Sequence, residues 1–168
     1  IYFSKRVTRA VPDGGPIVAH TDLVKKLHYE CELAVVLGRD ARDVPAGQTR
    51  DYIFGYTILN DVSARDVQTA HKQWYFGKSL DGFTPIGPCI VTADAFADYP
   101  PRLGIRSFVN GEKRQDSNTA LQIFDIDHVI AELSQGMTLK AGTIIATGTP
   151  AGVGMGMDPP QFLKPGDV

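Results

Sequence analysis

The amino-acid sequence predicts an α+β fold in which strands outnumber helices, and three observations support this class. Apolar runs of strand length recur along the chain, at 33–37, 53–59 and 143–147. An alternating stretch ends in Asn110-Gly111, the dipeptide most typical of a two-residue hairpin turn. Helical spacing of apolar residues is clearest in 126–135. Many short strands beside few helices indicate a β-rich α+β domain.

The first half of the chain is predicted to contain strands and two helices. The apolar run at 33–37 is continuous, which is typical of a strand buried on both faces. Ser63 is expected to cap a helix, because Asp66 stands three residues later in a variant of the capping box. In chain order we expect a loop at 1–16, strands at 17–19 and 33–37, a short helix at 48–52, a strand at 53–59 and a helix at 63–74.

The second half is predicted to be mostly strand. One helix is expected there, with Asp125 or Asp127 near its start and Gly136 just past its end. After the last strand comes a glycine-rich turn whose backbone N–H groups are suited to an anion. The expected elements are a buried strand within 84–92, a hairpin of 104–110 with 112–116, the helix at 126–135, a buried strand at 143–147 and the turn at 148–154.

Length, charge and composition limit the function classes. The 168 residues suit one domain, and a net charge of −2 gives no reason to expect a nucleic-acid partner. No apolar run approaches the roughly 20 residues that span a bilayer. Cys31 and Cys89 lie in apolar contexts and are expected to be buried thiols, which fits a reducing cytoplasm. Because the chain starts at Ile1, we expect a single domain, 1–168, truncated at both ends.

Three carboxylates stand at strand ends where a cation would be needed. Glu30 and Glu32 alternate along one strand, so their side chains project to the same face. Asp61 ends the second apolar segment. Buried like charges require neutralisation, and hard cations such as Mg²⁺ prefer carboxylate oxygens. The alternative is a solvated strand end whose acids pair with basic residues: Lys25, Lys26 or Arg39.

Other polar residues are candidates for a role beside these acids. His28 precedes Glu30 by two residues and is expected on the same face, whereas His20 is expected to be a loop histidine. Lys78 stands in the glycine-bracketed loop 77–83, which lacks the spacing of a phosphate-binding loop. A lysine there can approach a ligand carboxylate or stabilise an enolate. Arg65 lines a predicted helical face, unless it pairs with a surface acid such as Asp66.

Together these segments resemble the catalytic C-terminal domain of the fumarylacetoacetate hydrolase (FAH) superfamily. The matching motifs occur in family order and span nearly the whole chain. They are Tyr29-Glu30-Cys31-Glu32-Leu33-Ala34-Val35-Val36, Asn60-Asp61-Val62-Ser63-Ala64-Arg65-Asp66-Val67-Gln68, Gly77-Lys78-Ser79, Gly82-Phe83-Thr84-Pro85-Ile86-Gly87-Pro88, Val109-Asn110-Gly111-Glu112 and Thr147-Gly148-Thr149-Pro150-Ala151-Gly152-Val153-Gly154.

The resemblance implies a fold, a cofactor and a set of roles. It implies mixed β-sheets rolled around one long helix, in a protein that is usually a homodimer. It implies Mg²⁺ or Mn²⁺ as the cofactor and a small-molecule 2-oxo or β-dicarbonyl acid as the substrate. The metal would act as a Lewis acid while an enolate forms. The implied metal ligands are Glu30, Glu32 and Asp61, and the implied substrate-facing residues are Arg65, Gln68, Lys78 and Thr149, with Lys78 as the charge-stabilising catalytic residue.

The sequence departs from the family pattern at one point. Hydrolases and decarboxylases of the family carry a His-x-x-Glu pair that activates water or moves a proton. None of the four histidines here has a glutamate three residues later: His20, His28, His71 and His128. We expect this pair to lie upstream of Ile1.

Three functions stay open on this basis. The leading one is metal-dependent cleavage of a carbon–carbon bond, as in an acylpyruvate-type hydrolase or an oxaloacetate-type decarboxylase. The second is a proton-shifting isomerase of the 2-hydroxyhepta-2,4-diene-1,7-dioate type, from aromatic catabolism. The third is a non-catalytic homologue that binds a metal and an oxo acid.

Overall fold

A computed structural model describes residues 1–168 and contains three antiparallel sheets. The eight strands are β1 (Leu27–His28), β2 (Cys31–Leu37), β3 (Ile53–Asn60), β4 (Ser63–Ala64), β5 (Ile86–Thr92), β6 (Gly104–Val109), β7 (Glu112–Asn118) and β8 (Ile144–Ala146). The main sheet has the order β5–β3–β2–β8, while β1 pairs with β4 and β6 pairs with β7. The predicted β-rich α+β class is confirmed.

All helices are short, which corrects one expectation. The α-helices are α1 (Arg65–Ala70), α2 (Tyr75–Lys78) and α3 (Ile126–Leu133), and the 3-10 turns are Thr49–Tyr52, Ala93–Ala95, Thr119–Leu121 and Gly154–Gly156. The longest of them, α3, has eight residues. The single long helix that the resemblance implied is therefore absent from this chain.

Strand β2 is the centre of the fold. It has a partner on each side, β3 and β8, and its side chains are buried on both faces as the continuous apolar run predicted. Leu33, Val35 and Leu37 point to one face and form the main core with α3. Each such side chain contributes about 1.5–3 kcal/mol when it leaves water. The opposite face begins with Glu32, at the end of the strand where the candidate site lies.

Helix α3 closes this core as its sequence predicted. The Asp125 carboxylate accepts a hydrogen bond from the His128 N–H at 2.8 Å and caps the first turn. Ile126 and Ile130 are buried against the main sheet. Gly136 follows the helix with a φ of +69°. The helix therefore covers the sheet but lies on the face away from Glu32.

Three predictions in the first half were wrong. Ser63 lies in β4 and donates to the Asp61 carbonyl at 2.8 Å, so it does not cap α1. Asp66 instead accepts from the Lys25 backbone N–H at 2.7 Å. The helix expected at 63–74 is divided into α1 and α2, and no strand forms at 17–19. Pairing of β1 with β4 uses the residues that the capping pattern had assigned to a helix start.

The strand within 84–92 is β5, and it is largely exposed rather than buried. It is an edge strand whose only strand partner is β3, and on its other side only Ile86 is paired, through its N–H to the Val11 carbonyl at 3.0 Å. Cys89 on this strand is exposed, whereas Cys31 is buried as predicted. No helix in residues 1–168 has the length and hydropathy to cross a membrane.

Candidate metal centre

Three buried carboxylates converge where β2 begins and β3 ends. Glu30 precedes β2, Glu32 is its second residue and Asp61 follows β3. One oxygen of each lies within 4.8 Å of the other two, and the three residues are 7%, 4% and 1% exposed. The structure thus brings together the side chains that the strand pattern selected. That these three residues bind a metal ion stays a prediction.

Backbone pairing fixes this convergence. The Asp61 N–H donates to the Glu30 carbonyl at 2.8 Å, and the Glu30 N–H donates to the Asn60 side-chain oxygen at 2.9 Å. In the β2–β3 ladder, Cys31 lies opposite Asn60. A slip of one residue would turn Glu32 to the core face, so the register itself specifies the cluster.

Two lysines neutralise part of the cluster. The Lys78 ammonium lies 2.7 Å from Glu30 Oε2 and 2.6 Å from Asp61 Oδ2, and it is buried. Glycine is required at residue 77 for α2 to pack this closely against α1, since a Cβ there would lie 2.5 Å from the backbone N of Gln68. A second ammonium, that of Lys5, lies 2.6 Å from Asp61 Oδ1.

Glu32 is the carboxylate without a cationic partner. Its hydrogen bond comes from the Gly148 N–H at 2.7 Å. Burial, together with repulsion from Asp61 and Glu30, raises the pKa of Glu32 to about 8. Burial also opposes ionisation of Glu30, but the hydrogen bond from His28 and the charge of Lys78 outweigh it and hold the Glu30 pKa below its ordinary value. One more positive charge is therefore favoured beside Glu32.

The donor set fits a hard divalent cation. Three convergent carboxylate oxygens, one of them short of positive charge, are the ligands that Mg²⁺ and Mn²⁺ prefer. The alternative of a solvated strand end is wrong, because the acids are buried and none of Lys25, Lys26 and Arg39 pairs with them. Arg39 lies instead beside Asp51, at 3.9 Å.

Arg65 and Gln68 lie together on α1, close in sequence to Asp61. The Arg65 guanidinium donates to the Gln68 side-chain oxygen at 3.2 Å, and Gln68 is buried. Arg65 also contacts the Met155 sulfur at 3.1 Å and forms no ion pair with Asp66. Its guanidinium therefore contacts neutral groups and forms no ion pair with an acid, and its place at the site stays a prediction.

The glycine-rich turn at 148–154 is directed toward β2. Its Gly148 N–H binds the Glu32 carboxylate, so the anion held there is one of the chain's own. The Thr149 hydroxyl donates to the Cys31 carbonyl at 3.1 Å. Gly152 is required, because a Cβ there would lie 2.0 Å from the Arg114 carbonyl oxygen. The turn therefore binds both the Glu32 carboxylate and the backbone beside it.

Sequence reasoning missed two residues of the site and found a third. Lys5 lies in a segment with no regular pattern and reaches Asp61 across 56 positions, so no local signal marks it. Gln115 contacts both β2 and the glycine-rich turn, and the hairpin pattern did not indicate this. His28 lies on the face expected for it, with Nε2 3.0 Å from Glu30 Oε1. His20 is a loop residue, as expected, hydrogen-bonded to the Asp81 carbonyl at 2.8 Å.

Comparison with known proteins decides the family. The model of the fumarylacetoacetate (FAA) hydrolase C-terminal domain matches residues 1–168. The chain belongs to this family. An oxaloacetate tautomerase of Bacillus subtilis is 46% identical over 165 residues, which cover 98% of this chain and 54% of the relative. The chain therefore spans about half the length of such relatives.

Two solved structures of the family have the same fold. A fumarylacetoacetate hydrolase from Exiguobacterium antarcticum has a TM-score of 0.87 and 51% identity, covering 90% of this chain and 54% of its own. A fumarylpyruvate hydrolase from Pseudomonas aeruginosa, in complex with Mn²⁺ and pyruvate, has a TM-score of 0.81 and 29% identity, covering 95% and 66%. The family therefore includes hydrolases and tautomerases, and at least one member binds Mn²⁺.

Proposed function

We propose that this chain carries a centre for metal-dependent enolisation of a 2-oxo acid. The observation that carries the proposal is the convergence of three buried carboxylates with two ammonium groups. A divalent ion held by Glu30, Glu32 and Asp61 would supply Lewis acidity to the keto acid. The Mn²⁺ in the Pseudomonas relative supports this choice of cofactor.

Within this proposal the chain's own residues have distinct tasks. Lys78 presents a buried ammonium to the reacting end of the substrate and stabilises the negative charge of an enolate oxygen, as preorganised donors do. Arg65 and Gln68 orient a substrate carboxylate, which an arginine binds with fixed geometry. Thr149 keeps the glycine-rich turn against β2 while the substrate rests beside it.

The charges of the centre favour a doubly negative substrate. Three carboxylates face two ammonium groups, so a divalent cation would leave a net charge of about +1. The Arg65 guanidinium, which has no acidic partner, adds another positive charge. A dianion such as a 2-oxo dicarboxylate restores neutrality, and burial makes such neutrality valuable.

Tautomerisation is the activity that this geometry supports best, because it requires only an enolate and a proton shift. The 46% identity to an oxaloacetate tautomerase supports the same choice. Cleavage of a carbon–carbon bond is a second candidate, favoured by the 51% identity to a fumarylacetoacetate hydrolase. Both reactions pass through an enolate, so both use Lys78 in the same way.

The test is a substrate panel assayed with Mg²⁺, with Mn²⁺ and with EDTA. We expect faster interconversion of the keto and enol forms of oxaloacetate, followed by ultraviolet absorbance and lost in EDTA. Pyruvate release from an acylpyruvate would favour the cleavage candidate, and turnover of a 2-hydroxy-dienedioate would favour an isomerase. Binding of Mn²⁺ and oxaloacetate without any turnover would leave the non-catalytic homologue as the answer.

We also propose a homodimer in the cytosol. Exposed apolar side chains on β3 and β5 support a partner surface, and they include Phe54, Ile58, Ile90 and Val91. Light scattering coupled to gel filtration measures the mass; a monomer at micromolar concentration would contradict the dimer. Cys89 is exposed, so Cys31 is the single buried thiol that supports a location in the reducing cytosol.

A further inference from the structure

A closed ring of hydrogen bonds surrounds the backbone of Cys31, the residue between the two glutamates of the centre. The Cys31 N–H donates to Gln115 Oε1 at 3.1 Å. Gln115 Nε2 donates to Thr149 Oγ1 at 2.7 Å. The Thr149 hydroxyl then donates to the Cys31 carbonyl at 3.1 Å and closes the ring. Three segments distant in sequence therefore meet on a single residue of β2.

The orientation of the Gln115 amide is set by its partners. The Cys31 N–H can only donate and the Pro150 carbonyl can only accept, so the amide oxygen must face Cys31 and the amide nitrogen must face Pro150, 2.9 Å away. The Ser107 hydroxyl also donates to Oε1, at 2.9 Å, and this is the fourth hydrogen bond of the amide group. Gln115 is fully buried and uses both of its donors and both acceptor positions.

The ring replaces backbone pairing where β8 leaves the sheet. Strand β8 pairs with residues 34–36 of β2, and the Thr147 N–H still reaches the Leu33 carbonyl at 3.1 Å. Beyond that point no strand pairs with this side of β2. The Cys31 N–H donates to the Gln115 side chain instead, and the Cys31 carbonyl accepts from the Thr149 side chain. Unpaired buried backbone groups cost about 1–3 kcal/mol each, so opening the ring would let this part of β2 move.

We propose that Gln115 is a positioning residue for the metal centre, acting through the Cys31 backbone. Glu30 and Glu32 flank Cys31, so a change in the Cys31 backbone dihedrals redirects both carboxylates at once. The β6–β7 hairpin, which carries Gln115, thereby determines how closely these two ligands approach. This inference rests on the proposed function, because it treats Glu30 and Glu32 as ligands.

The main test measures Mn²⁺ affinity in the whole chain without substrate, by electron paramagnetic resonance of free Mn²⁺. We expect Gln115→Leu to weaken Mn²⁺ binding about tenfold, as loss of a partner behind a ligand commonly does. Ser107→Ala is the matched control, since it removes a bond to the same amide from outside the ring. The control should stay within about twofold of the wild type.

A double-mutant cycle distinguishes a ring from independent contacts. If the ring acts as a unit, Thr149→Val, Gln115→Leu and their combination should each weaken Mn²⁺ binding by the same factor of about ten. Independent contacts would give about a hundredfold in the double variant, and that result would overturn the ring. So would an unchanged affinity in Gln115→Leu.

Amide hydrogen exchange by NMR gives a readout that needs no metal. The Cys31 amide should exchange at least about tenfold faster in Gln115→Leu than in Ser107→Ala, while the Val35 amide stays unchanged in both. Equal Cys31 rates would show that the ring does not hold this backbone and would overturn the proposal. Absence of Mn²⁺ binding in the wild type would instead refute the proposed function, and the positioning role with it.

Discussion

The two ends of the β2–β3 pair carry charged residues in opposite settings. At one end Glu30 and Asp61 are buried and contact Lys78 within 2.7 Å. At the other end Arg39 and Asp51 lie 3.9 Å apart with side chains 57% and 78% exposed. An open cavity of about 580 Å³ lies at this second end, and the charged residues lining it are all exposed.

Burial, rather than the presence of charge or a cavity, therefore distinguishes the end that holds the candidate site. Exposed ion pairs are screened by water and contribute about 0–1 kcal/mol. Buried charges are kept only with partners, and a cluster whose charges do not balance favours a further ion. The site end has such an imbalance once Glu32 is ionised, whereas the Arg39 end is balanced and solvated.

The largest effect is expected from Asp61→Ala at the buried end. It removes one of three acidic donors and leaves two lysines facing the two remaining acids, Glu30 and Glu32, so metal-dependent turnover should fall at least about a thousandfold. The fold should persist, as checked by far-ultraviolet circular dichroism. Turnover within tenfold of the wild type would show that Asp61 is not a ligand.

Lys78→Met should separate charge stabilisation from metal binding. Turnover should fall about 10²–10³-fold, because a buried donor to the enolate is lost. Mn²⁺ affinity should not fall, since removing a positive charge beside Glu30 and Asp61 lowers the repulsion that a bound cation meets. Lys140→Met, at an exposed lysine paired with Asp40, is the control. Weaker Mn²⁺ binding with normal turnover would remove Lys78 from its proposed role.

Glu32 should make the stability of the metal-free protein depend on pH. The folded chain keeps the Glu32 proton up to about pH 8, whereas the unfolded chain releases it near 4.5. Unfolding between these values releases a proton, so the free energy of unfolding should fall as pH rises, by at most about 1.4 kcal/mol per pH unit.

Comparison with Glu32→Gln isolates this contribution. The difference between wild type and variant, measured by urea denaturation in EDTA from pH 5 to 9, should change up to pH 8 and then level off. Glu30, whose pKa is lowered, contributes with the opposite sign and only below its ordinary range, outside this window. A difference that does not vary with pH would mean that Glu32 is ionised in the folded chain.

The smallest effect is expected from the exposed end. A double-mutant cycle on Arg39→Ala and Asp51→Ala should give a coupling of less than about 0.5 kcal/mol in urea denaturation, because both side chains are solvated. Turnover should not change in any of the three variants. A coupling above about 1 kcal/mol would contradict the claim that charges at the exposed end contribute little to stability.

The sequence predicted the parts of the molecule that depend on local pattern. The apolar run of β2, the Asn110-Gly111 hairpin and the Asp125 cap of α3 all form as expected. The alternation of Glu30 and Glu32 placed them on one face, and the register of β2 with β3 brought Asp61 to them. Periodicity and turn chemistry are properties of neighbouring residues, so one sequence suffices to find them.

Features that depend on distant contacts could not be predicted. Lys5 reaches Asp61 from an irregular segment, and Gln115 reaches Cys31 across 84 positions. Ser63 had a valid capping pattern, but pairing of β1 with β4 took precedence over it. Cys89 had an apolar neighbourhood, yet β5 is an edge strand. Exposure and long-range pairing are set by tertiary structure, which overrides local preference.

The contact of Lys5 with Asp61 has a practical consequence for anyone who prepares this protein. A protease clip just after Arg6 would delete a positive charge from the carboxylate cluster while every strand of the main sheet stayed in place. A preparation trimmed in this way would pass a folding assay and still have an altered affinity for cations. Engineered cleavage sites therefore belong outside the segment that carries Lys5.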